Sequence, residues 1–110
     1  MYASIRRYTI EQERMNQMMR DIRQNFLPLI SQVPGFISYE AVNAGDRLVT
    51  VSMFETKEGA TESTRRTADY VKQQPDFHPS EFEVTEGEVT VHKAAQARHR
   101  HPTRWVGALP

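Results

Sequence analysis

The chain switches between two hydrophobic periods, and the switches mark its elements. Residues 2–8, Y-A-S-I-R-R-Y, are short and rich in aromatic and β-branched side chains, which suits a strand with one covered face. Next, Met15, Met18, Met19, Ile22, Phe26, Leu29, Ile30 and Val33 recur at steps of three and four, while Arg14, Arg20, Asp21, Arg23 and Gln24 take the opposite side. That spacing predicts an amphipathic helix. Thr9 and Gln12 have the separation of a capping box at its start, with Glu11 and Glu13 where a helix N-terminus favours negative charge. Pro28 removes a backbone donor and crowds the Gln24 carbonyl, which predicts a kink there and a stop at Pro34 and Gly35.

The period returns to two at residues 36–42 and 48–54, joined by the turn cluster Asn43-Ala44-Gly45-Asp46, so an antiparallel hairpin is predicted. In its second run Leu48 and Phe54 share one parity while Val49, Val51 and Met53 share the other, so both faces are expected to be covered. Thr56 is placed to cap a second helix over residues 57–74, ended by Pro75, with Glu58 and Glu62 near its start. Its apolar stripe is thin: Ala60, Ala68 and Val71, with Thr64 and Thr67 between. Residues 76–80 form a loop, and residues 82–93 alternate as a last strand in which Gly87 marks a bulge. Strand, helix, strand, strand, helix, strand is the βαββαβ order of the α+β ferredoxin-like fold, a four-stranded antiparallel sheet with both helices on one face. Residues 1–93 make that domain. Residues 94–110 carry Arg98, Arg100 and Arg104 and no acid, and read as an appended tail, with Trp105 and Val106 to dock it.

Composition narrows the function classes. With 110 residues, 38% apolar, and 14 Lys and Arg against 14 Asp and Glu, the chain reads as one soluble domain. It lacks the basic excess of a nucleic-acid binder, and no apolar run approaches the roughly 20 residues of a membrane span. Residues 1–10 alternate like a strand and not like a signal-peptide core, which makes the cytoplasm the expected compartment. Without cysteine there is no disulfide, thiolate metal site or thiol nucleophile.

The candidate chemistry is sparse. His99 and His101, with His92 nearby, could approach one metal, but the tail offers no carboxylate to help, and a solvated or docked tail is the simpler reading. His78, in the loop before the last strand, titrates near neutrality and could serve as a base. Arg6 and Arg7 point to opposite faces of strand one; whichever is buried needs an anion, from a ligand or from Glu55 or another sheet carboxylate. Tyr2, Tyr8, Tyr39 and Tyr70 could present phenols to an aromatic ligand or simply pack. The methionine cluster could line an adaptable pocket or pack the helix onto the sheet. The pairs Glu81/Glu83 and Glu86/Glu88 are explained by a solvated strand face. No phosphate loop, dinucleotide fingerprint or serine elbow occurs.

Against that background several segments resemble the antibiotic biosynthesis monooxygenase-like family of small dimeric α+β barrel proteins. They are Y-A-S-I-R-R-Y at residues 2–8, F-L-P-L-I-S-Q-V-P-G-F at 26–36, S-M-F-E-T-K-E-G-A at 52–60 and E-G-E-V-T-V-H-K at 86–93. The resemblance implies a homodimer whose sheets face each other. It also implies a pocket between sheet and helices, and a monooxygenase that oxidises a small aromatic, polyketide- or quinol-like substrate with molecular oxygen and neither metal nor flavin. The haem-degrading branch uses an asparagine on strand one and a tryptophan near helix two; here strand one carries Arg6 and Arg7, and the only tryptophan is Trp105. The residues expected to act are Arg6 or Arg7 on the developing charge and Tyr39, Tyr70 or His78 as proton relay. A non-catalytic dimeric module that binds a small apolar ligand, or has a structural role, is the alternative from another class. A closed apolar cavity with at least two convergent polar groups favours the enzyme, and a sheet–helix interface filled solidly by Met and Phe side chains favours the module.

Overall fold

The computed structural model describes residues 1–74 and 81–95. Strand β1 (Tyr2–Thr9) runs between β3 (Arg47–Phe54) and β4 (Phe82–Glu88), and β2 (Phe36–Asn43) pairs with the outer edge of β3, so the sheet order is β2-β3-β1-β4. Every pairing is antiparallel. Both helical segments lie on one face, as the ferredoxin-like order requires. Period two decides the facing: Tyr2, Ser4, Arg6 and Tyr8 of β1 and Leu48, Thr50, Ser52 and Phe54 of β3 turn toward the helices, while Ile5, Arg7, Val49, Val51 and Met53 turn the other way.

The first helical segment is continuous but changes pitch. A 3₁₀ turn (Gln12–Arg14) leads into α1 (Met15–Asp21), then a π turn (Ile22–Phe26), then α2 (Leu27–Ile30). Met15, Ile22, Phe26 and Ile30 are buried against the sheet, as their spacing predicts. The π turn stands where a kink was expected, directly before Pro28: one wider turn accommodates the missing N–H and the proline ring. The helix ends at Ile30, four residues before Pro34, in a string of short turns that closes on Gly35 at φ +83°, a left-handed conformation that suits glycine. The predicted capping box does not form. Thr9 belongs to β1, where its N–H donates to the Glu81 carbonyl and its hydroxyl to the Glu81 carboxylate, and Glu11 is the cap residue, with no side-chain capping bond because its carboxylate accepts from Arg14 Nε instead.

The second helix, α3 (Lys57–Lys72), is capped as predicted: Thr56 Oγ1 accepts from Gly59 N–H at 3.1 Å. Its buried side is Gly59, Ala60, Ser63 and Thr67, whereas Ala68 is exposed. The bulge predicted at Gly87 is absent, because Gly87 pairs in register with Ala3. A register shift occurs instead in β2, between Phe36 and Ser38. Strand β4 ends at Glu88, not at residue 93, since its pairing runs out opposite Tyr2, with a last bond from Val89 N–H to the Met1 carbonyl. Pro75, the predicted end of the second helix, and the proposed tail from residue 96 onward lie outside the described residues.

The core has two characters. Under α1 and the π turn it is apolar, with Tyr8, Ile22, Phe26, Ile30, Leu48 and Phe54 packed together. Under α3 it is polar: Ser4, Arg6, Ser52, Ser63 and Thr67 are all buried.

Candidate functional site

A buried arginine in the middle of a central strand is the feature from which the site is built. Arg6 is 1% exposed. Its guanidinium meets three hydroxyls: Nη1 donates to Ser52 Oγ at 3.3 Å, and Nη2 donates to Ser63 Oγ at 3.2 Å and Thr64 Oγ1 at 3.0 Å. Each hydroxyl sends its own proton onward, Ser52 to the Ser4 carbonyl, Ser63 to the Ala60 carbonyl, and Thr64 to the Glu86 carboxylate. Hydroxyls on α3 and β3 thus solvate a cation that, among the described residues, has no carboxylate in direct contact, which corrects the expectation of a sheet carboxylate against the buried arginine. Burial pushes the Arg6 pKa down, opposed by the nearby Tyr8, Glu86 and Tyr39; a guanidinium starts so high that it stays charged.

Arg6 forms part of the wall of a cavity between the sheet and both helical segments, with about 420 Å³ of empty space that includes its opening to solvent. Tyr8, Leu48, Ile22, Phe26, Met18 and Val71 make most of the wall apolar, and Tyr39, Thr50, Asp21, Thr67 and Tyr70 add polar groups. Phe26 stands between the two phenols, its ring 5.6 Å from Tyr39 and 5.2 Å from Tyr70, both tilted. Burial pushes the Tyr39 pKa well up, and also that of Tyr70, where the bond to Asp21 adds to the rise. Thr50 Oγ1 is buried without a hydrogen bond of ordinary length and angle, though it lies near enough to the Tyr39 phenol to favour its ionised form slightly.

Of the predicted site residues, Arg6, Tyr39 and Tyr70 come together around this cavity. Arg7 does not: it lies exposed on the opposite face of the sheet, 3.8 Å from Glu83. Met18 lines the cavity, while Met15 packs the core. His78, the tail histidines and Trp105 fall outside the described residues. Among the described residues no three His, Cys, Asp or Glu side chains are grouped so as to hold a metal ion, and no helix is long and apolar enough to cross a membrane.

Sequence reasoning missed Asp21, which it assigned to the polar side of the first helix. Its carboxylate accepts from the Tyr70 hydroxyl at 2.5 Å and from Asn25 Nδ2 at 2.7 Å, and it lines the cavity. The available signal was the separation of four between Asp21 and Asn25, which sets two hydrogen-bonding side chains over one turn.

No protein-family model matches the sequence. No curated protein matches it either. Solved structures do match in shape. A monooxygenase from Streptomyces coelicolor, the product of the gene ActVA-Orf6, in complex with nanaomycin D, superposes with a TM-score of 0.69 at 11% identity, over 86% of this chain and 92% of that one. The heme-degrader MhuD from Mycobacterium tuberculosis, with two hemes in its active site, gives 0.69 at 12% identity, over 86% of this chain and 100% of that one. A candidate antibiotic biosynthesis monooxygenase from Nitrosomonas europaea gives 0.65 at 13% identity, over 81% and 89%. In its four-stranded antiparallel sheet with helices on one face, the chain has the fold of the antibiotic biosynthesis monooxygenase-like proteins.

Proposed function

We propose that the protein is a monooxygenase that works without metal or flavin on a small aromatic, polyketide- or quinol-like substrate held in the cavity. One observation carries the reading: the Arg6 cation, surrounded by neutral hydroxyls, borders a largely apolar, aromatic-lined cavity. Such a site suits a substrate that supplies its own electrons. A phenol bound there loses its proton, and the guanidinium stabilises the anion more strongly than water would, because the charge is fixed and desolvated. The electron-rich ring then reduces oxygen. When a phenol C–H becomes a quinone carbonyl, the ring gives up four electrons, one oxygen atom enters the ring and the other leaves as water. Tyr39 and Tyr70 fit the part of proton relay, since both are held protonated by burial and both border the cavity.

The open face of the sheet supports a homodimer for the same protein. Ile5, Val49, Val51 and Met53 form a half-buried apolar patch, and Val42 beside them is 48% exposed. Among the described residues the helices cover only the other face, and a second copy presenting the same patch would cover this one.

Oxygen uptake by metal-stripped protein, measured over a panel of polyhydroxylated aromatics, tests the activity. At least one substrate is expected to turn over above buffer, and Arg6→Gln to lower kcat/KM by about a hundredfold, the scale of losing a fixed charge-stabilising donor. Absence of turnover over the whole panel would leave a ligand-binding module. Turnover appearing only with added iron, copper or haem would overturn the cofactor-free chemistry.

A further inference from the structure

Asp21 gives the cavity a direction. A carboxylate only accepts hydrogen bonds, so the 2.5 Å contact commits the Tyr70 phenol proton to Asp21, and the Asn25 amide fixes the carboxylate from its other oxygen. Tyr70 can then offer the cavity only its oxygen, as an acceptor. Burial and Asp21 both raise the phenol pKa, so Tyr70 keeps that proton. Arg6, on the sheet side, has the opposite character, since a guanidinium only donates. Arg6 donates to Ser63 and Thr64, whereas Tyr70, which holds Asp21, lies about 9 Å further along α3 at the usual rise per residue, which sets Asp21 at a separate part of the wall.

We propose that Asp21 is a positioning residue that acts through Tyr70 to set ligand specificity. The cavity selects an aromatic ligand with an anionic or carbonyl oxygen at the end facing Arg6 and a hydroxyl group at the end facing Tyr70. The inference rests on the cavity being the ligand site, but it concerns recognition and does not require turnover.

The test uses two rigid probes, 6-hydroxy-2-naphthoate and 6-methoxy-2-naphthoate, titrated calorimetrically into the full chain. Both carry a carboxylate for Arg6; only the first can donate to Tyr70. The hydroxy probe is expected to bind the wild type about tenfold more tightly than the methoxy probe, the order of one buried hydrogen bond lost. In Asp21→Asn the amide can donate to the Tyr70 oxygen and turn the phenol proton toward the cavity, so the preference should vanish or reverse. In Tyr70→Phe it should vanish while both probes still bind. A purely structural role for Asp21 would weaken both probes together and keep their ratio. Equal affinities in the wild type, an unchanged ratio in Asp21→Asn, or failure of both probes to bind overturns the proposal. A hydroxyl preference that depends on Asp21, in a protein that consumes no oxygen, would uphold this inference and sink the oxygenase reading alone.

Discussion

Arg6 and Glu86 sit on adjacent strands with opposite charges, and the Thr64 hydroxyl stands between them, accepting from Arg6 Nη2 at 3.0 Å and donating to the Glu86 carboxylate. The cation is therefore balanced at one remove. A glutamate in direct contact would neutralise it and blunt its pull on a ligand anion.

Cutting that link should be measurable. Thr64→Val keeps the shape of the side chain but leaves one guanidinium donor unmet, and is expected to cost about 1–2 kcal/mol in urea unfolding. Thr64→Ser should recover most of the loss. A valine variant as stable as the wild type would show that the link contributes nothing.

At Gly59 packing should override helix propensity. An added methyl ordinarily favours a helix by about 1 kcal/mol over glycine. Here the new Cβ would lie 2.9 Å from the Pro34 carbonyl oxygen and 3.1 Å from Phe54 Cβ. Gly59→Ala is expected to destabilise by about 1–2 kcal/mol net, read from the unfolding midpoint, because overpacking of this kind outweighs the propensity gain. A stabilised variant would mean that α3 can shift away from the loop without cost.

Acid should expose the surface network on α3. Hydrogen bonds from Arg65 and then Arg66 hold the Glu62 pKa at about 2, below its ordinary 4.5. A depressed carboxylate stabilises the fold above its unfolded pKa, and that stability is lost as pH falls from 4.5 through about 2. The unfolding midpoint of the wild type should fall over that window more than that of Glu62→Gln, and added salt should shrink the difference, since the network faces solvent. Parallel pH profiles for the two proteins would contradict the assignment.

The open sheet face is the place to break a dimer without touching the cavity. Val51→Glu puts a charge in the middle of the apolar patch, where a facing copy would have to bury it twice. Sedimentation is expected to show a folded monomer for the variant and a dimer for the wild type at micromolar concentration. A monomeric wild type would sink the homodimer.

What the sequence disclosed was mainly what periodicity carries. The eight apolar positions that predict the first helix all turn out buried or half-buried, although Val33 lies in the turns beyond its end, and the strand parities separate Leu48 and Phe54 from Val51 and Met53 as expected. Errors arose where local signals compete with pairing. Thr9 resembles a helix cap, but its backbone is drawn into β1 by Glu81; Gly87 resembles a bulge, but Ala3 accepts it in register. The site was half legible. Arg6 and Arg7 could not be told apart without knowing the strand's facing, which depends on β3 and α3 far along the chain. Asp21 was hidden because a charged residue on a helix reads as solvated unless its partner, here Tyr70 at a separation of 49 residues, is known.

Arg6 and Arg7 are neighbours on one strand and face opposite ways, so comparing them tests the location of the site most directly. Oxygen uptake by metal-stripped wild type, Arg6→Gln and Arg7→Gln should be followed with the most active polyhydroxylated aromatic, after circular dichroism has shown all three to be folded. Arg6→Gln is expected to lose about a hundredfold in kcat/KM, and Arg7→Gln, which breaks only the exposed 3.8 Å contact with Glu83, to stay within about twofold of wild type. Equal activity in wild type and Arg6→Gln, or a loss confined to Arg7→Gln, would contradict the assignment of the chemistry to the cavity beneath the helices.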